Sequence, residues 1–291
     1  MDSHRNEQVL AATLEWGQEL PGFTRAHAVH ALVLAESFAG GVQTPKGKAV
    51  LGLSWDAQGL LLTCLDMACV LWVDDWFDAR ESTASGEVEW QALQRALLGG
   101  PATTPEARGL ARLSACFRAA ASRPEEHRLW TETLLDVLRA SREDRRLSRE
   151  QASPCWGEYL ENGEHNIAVA HTVFALSLAY GLGLGARAAE PRFRRALRNL
   201  CLAMRLRNDL ASAEKERREG NRANGVFVME QCLPAPLAFA FVDAERLGYE
   251  RMLAEDLEAL GPSHPFPRVA RVLCAAVEHF YAVPNSRYGA P

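Results

Sequence analysis

The sequence predicts an all-α fold, and three observations carry that expectation. Hydrophobic positions recur at helical spacing through nearly all of the 291 residues. Period-two alternation and β-branched runs are sparse, which leaves strands little support. Turn signals fall at intervals that suit helices: Gly40-Gly41, Gly99-Gly100-Pro101, Gly181-Leu182-Gly183-Leu184-Gly185 and Gly261-Pro262. The pattern predicts helices over 5–17, 24–40, 57–81, 86–98, 104–122, 124–145, 150–162, 164–184, 189–219, 223–245, 248–260 and 265–283. No fixed-period repeat, long linker or low-complexity block interrupts the series. The expectation is one domain, 1–291, of roughly a dozen helices.

Composition narrows the class. Apolar residues make up 48% and charged residues 24%, with a formal charge of −5, which is an ordinary globular balance. A mildly acidic chain with scattered Lys and Arg argues against a nucleic-acid partner. The seven cysteines form no CxxC pair and sit inside apolar runs, so they read as reduced core residues of a reducing compartment. Met1 to Glu7 has no apolar signal-peptide core. The longest apolar stretch, about Leu60 to Val73, is interrupted by Asp66 and falls short of the ~20 residues a bilayer requires. A cytoplasmic protein without a membrane span is expected.

Two helices break the usual polar-outside rule. The segment around 57–81 is apolar on nearly every face, as in a helix at the centre of a bundle. On a helical wheel, Leu60, Cys64, Met67 and Leu71 form one stripe, and Asp74 and Asp78 continue it. Asp75 instead continues the stripe of Leu61, Leu65, Ala68 and Trp72. In the segment around 189–219, Phe193, Leu197, Leu200, Cys201 and Met204 form an inward stripe. Asn208 and Ser212 extend that stripe and Glu216 lies at its edge, at spacing i, i+4, i+8. Polar groups on inward faces cost free energy unless they are satisfied. Asp, Asn, Ser and Glu are all oxygen ligands, a set that suits a hard cation such as Mg2+ holding substrate phosphates. No His or Cys cluster of zinc type accompanies them.

At this point the motifs become specific. Asp74-Asp75-x-x-Asp78 resembles the aspartate-rich motif of class I terpene synthases, and Asn208-Asp209-x-x-Ser212-x-x-x-Glu216 resembles their second metal motif. Ser286-Arg287-Tyr288 resembles the Arg-Tyr pair that closes on the diphosphate, and Lys215 matches a diphosphate-contacting lysine. Leu14-Glu15-Trp16-Gly17, Pro21-Gly22-Phe23 and Glu158-Tyr159-Leu160-Glu161-Asn162-Gly163 are similar to bacterial diterpene synthases of the ent-kaurene synthase type. The likeness runs from about residue 10 to Tyr288.

The resemblance implies an α-helical bundle around a central active-site cavity. It also implies three Mg2+ ions in the closed complex and a prenyl diphosphate substrate of twenty carbons, with the homodimer that family members often form. The metal ligands it implies are Asp74, Asp75, Asp78, Asn208, Ser212 and Glu216. Where many bacterial members carry a diphosphate-sensing Arg, this chain has Asn162, as kaurene-synthase-like relatives do. Either Asn162 contacts the diphosphate as a neutral group or Arg205, one turn before Asn208, takes over part of that task. Met67, Leu71, Trp156, Tyr159, Phe174 and Tyr281 are candidates to line an apolar, water-excluding cavity. His165-Asn166 is a candidate break in the run from Gly163 to Gly185, where backbone carbonyls would face a cation. His27, His30, His171 and His279 show no partner and read as structural.

The expected activity is Mg2+-triggered ionisation of geranylgeranyl diphosphate, cyclisation and quenching by proton loss. Three alternatives stay open: a copalyl-type diphosphate, a sesquiterpene synthase, and a non-catalytic helical interaction protein. A chain-elongating prenyltransferase would want a second Asp-Asp-x-x-Asp where Asn208 to Ser212 stands. No Asp-x-Asp-Asp motif appears, so protonation-initiated cyclisation is not expected.

Overall fold

Prolines, glycines and capping side chains decide where the helices begin and end. The computed structural model describes residues 3–43, 49–79, 85–150, 152–220 and 222–282. Among these, the chain forms α1 (Ser3–Gly17), α2 (Arg25–Gly40), β1 (Gly41–Gln43), β2 (Ala49–Leu51), α3 (Ala57–Ala79), α4 (Ser85–Leu97) and α5 (Pro105–Ala120). It continues with α6 (Pro124–Glu150), α7 (Trp156–Asn166), α8 (Val169–Ala179), a 3-10 turn (Leu184–Arg187) and α9 (Pro191–Glu219). The last three helices are α10 (Gly225–Glu230), α11 (Ala235–Leu260) and α12 (Phe266–Ala282). Helix α5 starts on Thr104, whose hydroxyl accepts the Ala107 N–H at 3.2 Å, with Pro105 in the first turn. Helix α9 ends at Gly220, whose φ of 74° gives the left-handed cap.

Three departures from the helical pattern have local causes. First, a two-stranded antiparallel ladder pairs Gly41 with Leu51, Val42 with Val50 and Gln43 with Ala49, where no strand is expected. Three-residue strands are too short to show alternation. The pairing instead needs Gly41, because a Cβ there would lie 2.1 Å from the Val50 carbonyl oxygen. Second, the expected helices 223–245 and 248–260 are replaced by the short α10 and the 26-residue α11. The break falls at Pro234 and Pro236, which cannot sit inside a helix but suit its first turn. Third, the run after Gly163 breaks at Ala168, a non-glycine residue with φ of 57°, between α7 and α8. That is two residues beyond the His165-Asn166 expected from sequence. Helix α6 also runs past 145 to Glu150, its Arg146 paired on the surface with Glu143 and Glu150.

The chain folds into two compact units. The first comprises Met1–Leu135, Thr172–Ala186 and Arg268–Pro291; the second comprises Asp136–His171 and Arg187–Pro267. In the first, α2 packs along α3, and Leu60, Cys64 and Trp72 of α3 are buried. Asp66, which interrupts the apolar run of α3, is fully buried and accepts the Trp130 indole N–H at 2.9 Å. Trp130 in turn stacks on Phe117 with centroids 4.5 Å apart. In the second unit, α9 and α11 lie side by side. Leu202, Leu206, Val226 and Val242 form its core with Tyr159 and Leu160.

The cysteine expectation needs correcting. Cys64, Cys69 and Cys201 are buried, and burial pushes the Cys64 thiol up to about 12. Cys116, Cys155 and Cys232, however, are exposed. Cys155 precedes the first turn of α7 and Cys232 sits in the turn between α10 and α11, so neighbouring apolar residues misled the reading. Among the described residues, no helix is long and apolar enough to cross a membrane.

Trp130→Phe keeps the stacking surface and removes the only indole N–H that residue supplies to Asp66. Leaving a buried acceptor short of a donor is expected to cost about 1–3 kcal/mol in urea unfolding. An unchanged midpoint would show that the bond contributes nothing net.

Candidate functional site

The stripe on α3 rises from core to solvent. Met67 is 5% exposed, Leu71 is half-buried and Asp74 is exposed. Asp78 lies on the same helix, but its side chain is outside the described residues, as is that of Tyr281 on α12. Trp76 packs against Trp72 and Phe77; Trp76 belongs to the core and Phe77 is half-buried. Asp75 takes a different course. Its Oδ2 lies 2.9 Å from Nε2 of His27 on α2, with side-chain exposures of 47% and 7%. The Thr24 backbone N–H donates to His27 Nδ1 at 2.9 Å, so Nε2 carries the imidazole proton and donates to Asp75. Phe23 stacks on the imidazole, with centroids 5.2 Å apart. His27, expected to have no partner, therefore has two. Thr24 followed three residues later by a side chain able to cap it is a helix-start signal, and it was there to be read.

On α9 the three second-motif residues stand one turn apart. Asn208 and Glu216 are half-buried and Ser212 is 6% exposed. The Ser212 hydroxyl donates back to the Asn208 carbonyl at 2.8 Å, the usual resting bond of a helical serine. Glu216 Oε2 accepts an amide N–H of Asn224 at 3.0 Å. That same amide nitrogen donates to the Asp209 carbonyl at 3.0 Å, and the Asn224 side-chain oxygen caps α10 through the Val226 N–H at 2.9 Å. Asn224 is fully buried, so Glu216 is held by a residue that is itself fixed. The sequence reading missed Asn224. It lies between a glycine-ended helix and a short apolar one, which is where a capping Asn belongs.

Behind this face lies a buried ionic network. Arg205 donates from Nε to the Tyr159 hydroxyl at 2.9 Å, from Nη1 to Asn166 Oδ1 at 2.6 Å and from Nη2 to the Ala223 carbonyl. Its Nε is 3.3 Å from Asp209 Oδ1, and its Nη2 is 3.7 Å from Asp144. The Tyr159 hydroxyl donates to Asp209 Oδ2, which also accepts the Gly225 N–H at 3.2 Å. Asn162 donates to Asp144 at 2.5 Å and to the Ala140 carbonyl at 3.1 Å. Two glycines make room. A Cβ at Gly163 would meet the Arg205 side chain at 3.1 Å, and one at Gly225 would meet Asp209 at 3.0 Å and Tyr159 at 3.1 Å.

These contacts show where four of the expected site residues lie. Arg205 and Asn162, expected as diphosphate contacts, donate to protein acceptors. Tyr159 and Trp156, read as cavity lining, stack on one another 5.4 Å apart within the core of the second unit. The i, i+4 spacing of Arg205 and Asp209 on α9 was a readable ion-pair signal, whereas Asp144 lies on another helix.

Burial dominates the electrostatics here. It pushes the Asp144 carboxyl up to about 7, against the opposing pull of Arg205 and of the Asn162 hydrogen bond. It pushes Asp209 up to about 6, again against Arg205. Burial would lower Arg205, but Asp209, Tyr159 and Asp144 more than reverse it, so the guanidinium stays charged. Of the remaining candidates, Lys215 is exposed and Phe174 is buried on α8. Arg287 and Tyr288 lie outside the described residues.

Among the described residues, no group of three or more His, Cys, Asp or Glu gathers as metal ligands. Asn208, Ser212 and Glu216 instead offer an amide, a hydroxyl and a carboxylate oxygen along one face of α9. This donor set suits a hard divalent cation that keeps several of its waters.

Comparison with known proteins agrees with that chemistry. A family model described as "Terpene synthase family 2, C-terminal metal binding" matches residues 67–246, which is more than half of the chain. Among solved structures, the chain is similar to 2-methylisoborneol synthase from Streptomyces coelicolor A3(2) in complex with Mg2+ and geranyl-S-thiolodiphosphate. The TM-score there is 0.76 at 17% identity, covering 100% of this chain and 94% of that one. It is also similar to linalool/nerolidol synthase from Streptomyces clavuligerus in complex with 2-fluorogeranyl diphosphate. That match has a TM-score of 0.73 at 18% identity and covers 94% and 91%. Hedycaryol synthase matches with a TM-score of 0.66 at 17% identity, covering 94% and 88%.

The network sets a pH dependence whose sign is fixed. Asp144 has a folded pKa near 7 against 3.8 for the free group, so between those values the folded state holds more protons than the unfolded one. Its contribution to stability is greatest below pH ~4 and is lost as pH rises towards ~7. Asp144→Asn should flatten that part of the stability–pH curve in urea titrations, leaving a smaller slope from Asp209. An identical slope in both proteins would refute the assignment.

Proposed function

The chain belongs to the terpene synthase family, and we propose that it is a class I cyclase whose substrate is geranylgeranyl diphosphate. The observation that carries the cyclase part of this reading is the face of α9, where Asn208, Ser212 and Glu216 present three oxygen donors one turn apart and Asn224 braces the last of them. The matched region runs from Met67 to Arg246 and contains both this face and the aspartates of α3. On this reading residues 1–291 act as one catalytic domain. Asn208, Ser212, Glu216 and the aspartates Asp74, Asp75 and Asp78 hold Mg2+. When bound, Mg2+ neutralises charge on the departing diphosphate, as Lewis-acid stabilisation requires. Lys215, Arg287 and Tyr288 bind the diphosphate oxygens. Met67, Leu71, Phe174 and Tyr281 keep water from the carbocation until a proton is lost.

A second reading, a sesquiterpene synthase or one using a still shorter substrate, has specific support. Two of the similar solved structures hold geranyl-type diphosphate analogues, with ten-carbon chains, and a third is a hedycaryol synthase. The twenty-carbon assignment rests on the kaurene-synthase-like segments of the sequence. A copalyl-type diphosphate remains the alternative among twenty-carbon substrates.

Incubation with Mg2+ and, separately, ten-, fifteen- and twenty-carbon diphosphates and a copalyl diphosphate distinguishes these readings by hydrocarbon analysis. A cyclic twenty-carbon product is expected from geranylgeranyl diphosphate. A fifteen-carbon product alone would overturn the substrate assignment, and no product from any substrate would overturn the cyclase reading. Asn208→Ala should lower kcat by about two orders of magnitude or more with the helical circular dichroism unchanged.

A further inference from the structure

We propose that His27 is a positioning residue for the metal-binding end of α3, acting through Asp75. The proposal deepens the class I cyclase reading and rests on it. The starting observation is directional. His27 is nearly buried, accepts the Thr24 N–H on Nδ1 and presents Nε2–H to an Asp75 side chain that is 47% exposed. A rigid, buried donor thus grips a carboxylate that reaches towards solvent. The imidazole cannot turn away without surrendering the Thr24 bond and its stack on Phe23. The Thr24 bond is also half of the capping box that starts α2. Phe23 meets Trp16 edge-on at 5.7 Å, and the Pro21 carbonyl accepts the Trp72 indole N–H at 2.9 Å. The segment from Pro21 to Thr24 is therefore tied to α1 and to α3, and His27 hands that rigidity to Asp75.

The chemistry suits a support role. An imidazole that accepts on Nδ1 and donates from Nε2 removes the rotational freedom of one carboxylate before any cation arrives. A carboxylate has about four lone-pair sites, so one N–H donor does not exhaust its capacity to bind metal. Hydrogen-bond partners of ligating groups commonly change metal affinity by about 10–100-fold when removed. Asn224 does the same for Glu216 on α9, again as a buried neutral donor holding one oxygen of a carboxylate.

Two variants separate the donor from the packing. His27→Phe keeps an aromatic ring against Phe23 and deletes the N–H. His27→Gln places an amide N–H near the position of Nε2. Mn2+ binding, followed by electron paramagnetic resonance with inorganic diphosphate present, should weaken about tenfold in His27→Phe and recover most of that loss in His27→Gln. The Mg2+ concentration for half-maximal turnover should move in parallel, with kcat at saturating Mg2+ changing less. Wild-type affinity in His27→Phe, or equal losses in both variants, would overturn the proposal while leaving the cyclase reading intact. Wild-type protein that binds no Mn2+ would instead overturn the metal reading beneath it. A measurement on the wild type guards against misfolded variants. Nitrogen-15 spectra should show His27, identified by its contacts to the Phe23 ring, protonated on Nε2 alone and shifted by Mg2+ with inorganic diphosphate. A δ-protonated ring or an unmoved resonance would overturn the proposal.

Discussion

The second unit depends on one buried ion pair, Arg205 with Asp209. An isolated charge in such a place is very costly, and an ion pair there breaks even only when its remaining hydrogen-bonding capacity is filled. Tyr159, Asn166, the Ala223 carbonyl and the Gly225 N–H fill most of it, and they come from α7, from α10 and from the segment between α9 and α10; Asp209 Oδ1 is met by Arg205 alone, at 3.3 Å. The pair therefore works as a specifier of position: Arg205 and Asp209 Oδ2 find their partners in one arrangement of these elements and lose them in others. Asp209 lies between Asn208 and the rest of the second motif, so fixing it fixes the rotation of α9 about its axis. The three oxygen donors face the way they do because Asp209 of the same motif is anchored behind them.

The front and back of that helix use different chemistry. Behind, charge is met by charge at close range in a site without solvent. In front, Glu216 is braced by the neutral amide of Asn224, and within the first unit Asp75 of α3 is braced by the N–H of His27. A cationic brace beside a metal ligand would compete with the cation it is meant to receive. A neutral one orders the carboxylate and leaves its charge for the ligand. Arg205 is placed accordingly, one turn before Asn208 but engaged with Asp209, Asp144 and Tyr159.

Helix number, most boundaries and the inward stripes of α3 and α9 were legible in the sequence because they follow from periodicity alone. The exceptions trace to single residues. Pro234 and Pro236 move a helix start that hydropathy cannot see, Ala168 adopts a backbone conformation that no alanine advertises, and Gly41 allows a ladder too short to alternate. At the site, the oxygen donors were legible because they share one helix and one spacing. Their supports were not. His27 and Asp75 are 48 positions apart and Tyr159 and Asp209 are 50 apart, and periodicity carries no information at that range. Arg205 and Asn162 show the same limit. Both are where a substrate contact would be sought, and both are consumed by partners that only the folded chain reveals.

Gly163 and Gly225 have a consequence for how such a protein can diverge. Each abuts the ion-pair network at about 3 Å, so a side chain added at either would push on Arg205 or on Asp209 and Tyr159. Variation at these two sites is therefore filtered by folding before catalysis is ever tested.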